Sequence, residues 1–452
     1  MPDSTPVFPP YMKSLQDALG SSSDVVQLPL AINKAEAQLL FVKTVVEGSI
    51  MQDTIIKPFY EIADTEKFAE YLNGMPNHLQ IPDSEEVLKK LVQGFVLIYC
   101  NENYLLLEIR KLKNTVPLQT VLESTIHGPQ SAFSEDLETN IGIIRQHYHQ
   151  PDLFIETMEL KDLSSRAVAL AYDRKKVNTQ VLRRLKEQLR QIDEPLIQSA
   201  GDLAIRLTPR KLNIFPVSLL TERPDRTIYN ITGGKIIVIV DGSPFVIMAP
   251  VLFFDFMVSM EENYHTFFIS LFNTILGWTG LMICLLLPSF YIAFASYSPE
   301  VLRTELTLSI AGSRIGVPYP TFIEVLIMLL FVELLTEASI RLPKSINATA
   351  TTVGGLILGT ASVEAAIASN ILIITIAAVA IANFVIPINE LSFAIRICRI
   401  LLIAFTSLFG LIGLISGFLF IIIHLVNIDS YGQPYLRIPW RDKSSEKEVG
   451  SG

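Results

Sequence analysis

From Thr266 to Pro299 the chain runs without one charged residue, the longest such stretch in the sequence. About 20 apolar residues suffice to cross the hydrocarbon of a bilayer. A run of this length therefore reads as a transmembrane helix. Pro288 stands inside it and predicts a kink, and Tyr291 and Tyr297 suit a membrane–water interface.

Charge divides the rest of the 452 residues. Met1 to His265 holds 26 Lys and Arg against 34 Asp and Glu, whereas Thr266 to Ile428 holds only 6 against 7. The tail from Asp429 has 4 of each. An acidic polar part thus precedes a membrane part, which matches the positive mean hydropathy of +0.40. An acidic chain offers no electrostatic footprint for nucleic acid. The three cysteines, Cys100, Cys284 and Cys398, lie too far apart for a disulfide framework or a metal spacing. The start, MPDSTPVFPPYMKSL, has neither a basic nor an apolar signal region, so a cytoplasmic first domain is expected.

The fold class expected is a multi-domain membrane protein: a cytoplasmic α/β domain of two lobes, then an α-helical transmembrane bundle of four to five spans. Residues 1–35 read as a flexible segment, 36–115 as the first lobe and 116–230 as the second. A hairpin and interfacial junction follows at 231–265, then the helical domain at 266–428 and a cytoplasmic tail at 429–452. In the first lobe, residues 37–46 read as a buried strand. Phe95–Cys100 and Tyr104–Arg110, separated by Asn101-Glu102-Asn103, read as a hairpin. In the second lobe, Ser134–Glu138 opens a helix over Asn140–His149, and Leu153–Leu160 and Ala167–Tyr172 are strand-like. Leu182, Leu185, Leu189 and Ile192 form one stripe of a basic helix capped by Asn178. Lys235–Val240 and Phe245–Met248 flank Asp241-Gly242-Ser243-Pro244, a second hairpin.

Beyond the first span, 300–320 reads as a loop or surface segment. Phe322–Arg341 carries Glu324, Glu333 and Glu337, three carboxylates that must face protein or water. Glu337 and Arg341 are spaced to pair. Residues 349–386 are too long for one straight crossing at about 1.5 Å per residue, which predicts a break near Glu364–Asn370. Arg396 and Arg399 open a last span that His424 closes. The loop 341–348 and the tail hold the cations expected on the inside, which puts both termini in the cytoplasm.

The half of this region just before the break is built of small residues. Thr352, Gly355, Gly359, Ser362 and Ser369 allow close helix approach or hydroxyl lining, and Val363 suits an apolar constriction. Glu364 is its one carboxylate. It reads either as a cation-attracting ring or as a partner of Arg396 or Arg399 that fixes the bundle. No nucleophile–base pair, phosphate loop, metal-ligand spacing or cofactor motif appears, so enzyme is the weakest class. A secondary transporter would show paired broken helices, and only one break is present.

Several motifs resemble the A subunit of the GerA-type spore germinant receptors. They are Leu220-Thr221-Glu222-Arg223-Pro224-Asp225, Val240-Asp241-Gly242-Ser243-Pro244-Phe245, Gly316-Val317-Pro318-Tyr319-Pro320, Arg341-Leu342-Pro343 and Val353-Gly354-Gly355…Gly359…Val363-Glu364-Ala365. The resemblance covers roughly residues 115–440. It departs at His127, where the family has Arg, and at Thr336 and Ser339, where it has Arg and Gly. The resemblance implies a protein of the spore inner membrane that binds no cofactor. It implies partners: a transporter-like B subunit that binds a nutrient, a C-subunit lipoprotein, membrane lipid and further copies of the same chain. It also implies a ring-shaped, nutrient-gated channel for monovalent cations. A non-conducting scaffold for the nutrient-binding partner, and a related channel that amplifies ion release without sensing nutrient, are the alternatives.

Overall fold

The computed structural model describes the chain apart from residues 1–8, 21, 33–34, 77, 80–83, 112–118, 121–122, 124, 161–165, 193–195, 209–212 and 438–452. The cationic tail positions 441, 443 and 447 therefore lie outside the described residues. Two compact units emerge. The first is Met1–Pro209 with Ser218–Val251 and Ser430–Gln433. The second is Arg210–Val217 with Leu252–Asp429 and Pro434–Gly452.

The first unit begins with α1 (Pro10–Ala18), β1 (Val25–Ile32), β2 (Ala35–Val42), α2 (Gly48–Met51), α3 (Lys57–Ile62), α4 (Thr65–Asn73), β3 (His78–Leu79), α5 (Ser84–Val92), β4 (Phe95–Cys100) and β5 (Asn103–Glu108). The strands form an antiparallel sheet ordered β1-β2-β4-β5-β3. Successive side chains of a strand point to opposite faces. Here both faces are buried, which explains the unbroken apolar runs. Leu39, Phe41, Val96 and Ile98 pack with Phe59 of α3 and Phe68 of α4. Leu40, Val42, Leu97 and Leu106 pack on the other side with Met12 and Leu15 of α1 and Leu91 of α5. Within the segment expected as flexible over 1–35, the described residues form two regular elements: α1 inserts into the core and β1 pairs with β2 along its whole length. Pro29 masked that strand in the sequence, and it is tolerated because β1 lies at the sheet edge. The β4–β5 turn is two residues, Asn101 and Glu102, both at positive φ. That is the backbone a tight hairpin demands.

The second lobe holds α6 (Leu137–His147), β6 (Leu153–Glu159), β7 (Ala167–Asp173), α7 (Thr179–Gln191), α8 (Ala200–Arg206), β8 (Leu219–Thr221), α9 (Pro224–Thr232), β9 (Ile236–Val240) and β10 (Val246–Ala249). Its antiparallel sheet runs β6-β7-β9-β10-β8, and every residue of β9 and β10 is buried. Asn178 caps α7, accepting from the Gln180 and Val181 N–H groups. The buried stripe of that helix is Val181, Leu185 and Leu189, so Val181 takes the place expected for Leu182.

The lobes are joined through Arg145 of α6, which is fully buried. Its guanidinium donates to both Asp24 oxygens (2.9 and 2.8 Å), to the Leu153 carbonyl (2.9 Å) and to the Ser22 hydroxyl (3.0 Å). Burial alone would raise the Asp24 pKa. Burial is the largest single influence, but the Arg145 charge and the hydrogen bonds from Arg145, Ser22 and Thr44 together outweigh it and hold the carboxyl below its ordinary value.

The second unit is helical. Short 3-10 turns, Phe253–Met257 and Met260–Tyr264, precede α10 (Phe267–Ile292), which continues into a π turn, Ala293–Tyr297. Then come α11 (Thr304–Ser313), α12 (Thr321–Arg341), α13 (Lys344–Glu364), α14 (Asn370–Val385) and α15 (Asn389–Val426). The segment expected as loop or surface at 300–320 thus contains a helix. The break expected near Glu364–Asn370 is there as the turn between α13 and α14. Gly280 lets α10 approach α14, since a Cβ there would sit 3.1 Å from Val385 Cβ.

The last span is not one rod. Gly410 interrupts α15 at φ 59°, ψ −135°. A Cβ on Gly417 would lie 2.9 Å from Leu402, and Phe420 stacks on Phe405. In a straight helix residues 15 apart are about 22 Å apart. The chain therefore doubles back at Gly410 into two antiparallel halves. Tyr297 packs on the turn, with its ring 2.8 Å from where a Gly410 Cβ would be, and its hydroxyl donates to the Ser407 carbonyl. The single span expected from Arg396 to His424 becomes a helical hairpin. Nothing in a uniformly apolar run marked it.

Among the described residues three helices are long and apolar enough to cross a membrane: Phe267–Tyr297, Ile346–Glu364 and Asn389–Val426. α14 has 16 residues and α12 carries four charged ones. The two ends of the helical unit meet. The Phe253 N–H donates to the Tyr435 carbonyl at 3.1 Å, and Phe215, Phe253 and Tyr435 pack ring against ring.

Candidate functional site

The small-residue helix α13 begins after Pro343, which presets its first turn. It ends because Ala366 turns left-handed at φ 53°, while the Ile367 and Ala368 N–H groups close on the Ser362 carbonyl at 2.8 and 3.2 Å. The face presented to α12 is glycine. A Cβ on Gly354 would be 3.2 Å from Leu335, and one on Gly355 3.6 Å. Gly359 has open space around it. Val353, Leu356 and Ile357 are exposed, so most of the surface of α13 is left uncovered by the described residues.

The residues predicted along this stretch fall into two groups. Thr352 and Glu364 are exposed, and Gly355, Gly359 and Val363 are partly so. The Thr352 hydroxyl bonds the Ala348 carbonyl of its own helix at 2.8 Å. Ser362 and Ser369 are buried and face the interior of the unit. Ser369 caps α14 by accepting from the Leu372 N–H (3.3 Å), and its hydroxyl meets the Tyr291 hydroxyl of α10 at 3.0 Å.

The Ser369 N–H donates at 2.7 Å to Glu324, which is fully buried in the first turn of α12. The other Glu324 oxygen lies 3.3 Å from Arg314, at the end of α11. One carboxylate thus ties the turn after α13 to α11 and α12. The sequence flagged Glu324 as a charge in a span, and only the fold shows what it holds.

Glu364 does not pair with Arg396 or Arg399. Glu333 of α12 takes both, through Arg396 at 3.0 Å and a short contact to Arg399. Exposure leaves Glu364 in no need of a buried cation, whereas Arg399 is buried. Glu337 and Arg341 pair as their spacing predicts, at 2.7 Å. Thr336 and Ser339 satisfy their hydroxyls on backbone carbonyls of α12, so neither replaces a cation.

The motifs of the first unit are structural. Arg223, fully buried before α9, clasps Asp225 at 3.0 and 2.7 Å and donates to the Glu123 carbonyl (2.7 Å) and the Thr125 hydroxyl (2.9 Å). Arg226 reaches the Glu123 carboxylate at 3.0 Å. The acidic, basic and proline residues at 222–226 anchor the segment around 123–133 to the second lobe. Gly242, at φ 77°, makes the β9–β10 turn, and Ser243 accepts from the Ala200 N–H at 3.2 Å.

A family model described as Bacillus/Clostridium GerA spore germination protein matches residues 13–447. The chain belongs to the GerA family. It is 32% identical to spore germination protein GerLA of Bacillus cereus over 449 residues, covering 94% of this chain and 88% of that one. Spore germination protein B1 of Bacillus subtilis (strain 168) is 28% identical over 94% of this chain and 90% of its own length. An uncharacterized membrane protein of that bacterium, YfkQ, is 28% identical over 88% of this chain and 79% of that one. A crystal structure of the N-terminal domain of the A subunit of the Bacillus megaterium spore germinant receptor GerK3 is 24% identical. It covers 54% of this chain and 94% of that one, with a TM-score of 0.42. As a GerA-family chain, the protein belongs to spore germination.

Proposed function

We propose that this chain is the A subunit of a nutrient germinant receptor of the spore inner membrane. In this reading several copies form a ring, α13 lines its axis, and a nutrient-binding, transporter-like subunit and a lipoprotein complete the assembly. Nutrient opens the ring and monovalent cations leave. The observation that carries the reading is α13 itself. It is a small-residue helix whose glycine face packs on α12, with an exposed apolar face and Glu364 exposed at its end. In lipid such helices associate by close packing. A ring of copies would place the partly exposed Val363 at the axis, where apolar constrictions gate by dewetting.

Crossing by α10, α12, α13, α14 and both halves of α15 makes six passes, an even number. That accords with the contact between Phe253 and Tyr435, which brings the two ends of the helical unit together. Both termini then lie in the cytoplasm, with Arg341 and Lys344 in an inner turn, in line with the positive-inside tendency. The scaffold alternative draws support from the Thr352 and Thr360 hydroxyls, which bond their own helix instead of facing a water path. The mass and symmetry of the protein in detergent, with the residues nearest its axis, test the reading. A monomer, or a ring with α13 turned toward lipid, contradicts it.

A further inference from the structure

Halfway along α12 and the first half of α15, Glu333, Arg396 and Arg399 bring two cations to one carboxylate. The other two acidic residues of α12 are matched one to one, Glu324 with Arg314 and Glu337 with Arg341. Arg399 turns its remaining amino group to Cys284 at 3.4 Å, a neutral and weak acceptor. The Nε atoms of Arg396 and Arg399 are buried and have no acceptor among the described residues. Asn383 and Ser392, which bond each other nearby at 2.8 Å, add no charge.

The cluster is also open on one side. The Glu333 side chain is 31% exposed and that of Arg396 17%. Leu330 and Leu334 on α12, and Phe393 and Ile397 on α15, are exposed beside them. Glu333 lies 12 residues from the start of α12 and 8 from its end. Arg399 lies 10 residues into α15 and 10 before Phe409. At about 1.5 Å per residue Glu333 and Arg399 sit some 12–18 Å from either end of their helices. If the unit spans a bilayer, that is mid-depth, where an uncompensated guanidinium is costly and lipid phosphate does not reach.

From these observations we infer that a membrane helix of another protein, carrying one Asp or Glu at its middle, covers the face formed by Leu330, Glu333, Leu334, Phe393, Arg396 and Ile397. The carboxylate completes the pairing of the two arginines, and apolar side chains meet the leucine, isoleucine and phenylalanine flanks. A second copy of this chain does not meet the requirement. Of its other helical-span carboxylates, Glu324 is buried, Glu337 holds Arg341, and Glu364 and Glu390 stand at helix ends. The inference rests on the proposed multi-subunit membrane assembly.

The test uses the full chain produced with its receptor subunits, carrying a photo-crosslinking residue at Leu334 or Ile397. Crosslinked peptides are then sequenced by mass spectrometry. The expected product is an apolar helix of a different subunit with a central Asp or Glu. In addition, Arg396→Glu lowers recovery of that subunit at least tenfold, and changing its carboxylate to Lys restores it. Crosslinks to lipid alone or to a second copy overturn the inference, as does wild-type recovery with Arg396→Glu. Arg396→Gln, which leaves one cation for one carboxylate, separates this from misfolding: it keeps the oligomer's mass while weakening partner recovery. Loss of the oligomer in the unsubstituted chain would instead count against the proposed function.

Discussion

Removing the Glu324 carboxylate should release the end of α13. Glu324→Ala leaves the buried Ser369 N–H without its 2.7 Å acceptor and Arg314 without its 3.3 Å partner. An orphaned buried donor costs about 1–3 kcal/mol. Such a difference shifts a two-state equilibrium roughly 5- to 150-fold. Since α13 otherwise rests on α12, the shift falls on the turn at 365–369 and the helix it terminates. Hydrogen exchange of the amides from Ala365 to Leu372 should quicken by about that factor, and cation leak from liposomes should rise with it. Glu324→Gln keeps an oxygen for the Ser369 N–H and should show the smaller effect. Unchanged exchange in the Ala variant, with normal folding, would refute the role given to Glu324.

Other substitutions test other joints. Gly410→Ala forces a side chain onto φ 59° and against Tyr297, and backbone strain of this kind costs about 1–3 kcal/mol. Thermal melting in detergent should show a lower midpoint, partly restored by adding Tyr297→Ala. At the lobe junction, Asp24→Asn at neutral pH strands a buried guanidinium, a loss of about 3–5 kcal/mol in denaturant titrations. The folded Asp24 pKa is depressed, so its stabilisation is present above the ordinary carboxylate value near 4 and fades as pH falls through the folded value. Exchange protection of Asp24 and Arg145 should therefore hold at pH 5 and collapse only in stronger acid, and the Asn variant should lose that acid limb. Val363→Ala should raise cation leak several-fold if the partly exposed Val363 narrows the path.

Features set by neighbours in the chain were legible in the sequence. The Asn101-Glu102 and Gly242 turns, the Asn178 cap and the Glu337–Arg341 pair each depend on a few adjacent residues. The break after Glu364 followed from length alone. What stayed hidden depends on distant partners or on uniform composition. Glu333 meets arginines more than 60 residues away, and no spacing rule chooses it over Glu364. Gly410, Gly413 and Gly417 look like one packing motif, yet only Gly410 takes positive φ and reverses the chain. β1 was obscured by Pro29 and its polar surroundings. In the candidate site, Ser369 reads in the sequence as a small polar residue beside α13, but its burial is set by Glu324 and Tyr291 from other helices.

The most direct test of the central claim is monovalent-cation flux through the purified, full-length oligomer in liposomes. The proposed channel should show K⁺ flux above that of protein-free vesicles, altered by Val363→Ala and increased by Glu324→Ala. Intact oligomers that pass no cation with or without these substitutions, even when their partner subunits and nutrient are supplied, would contradict it.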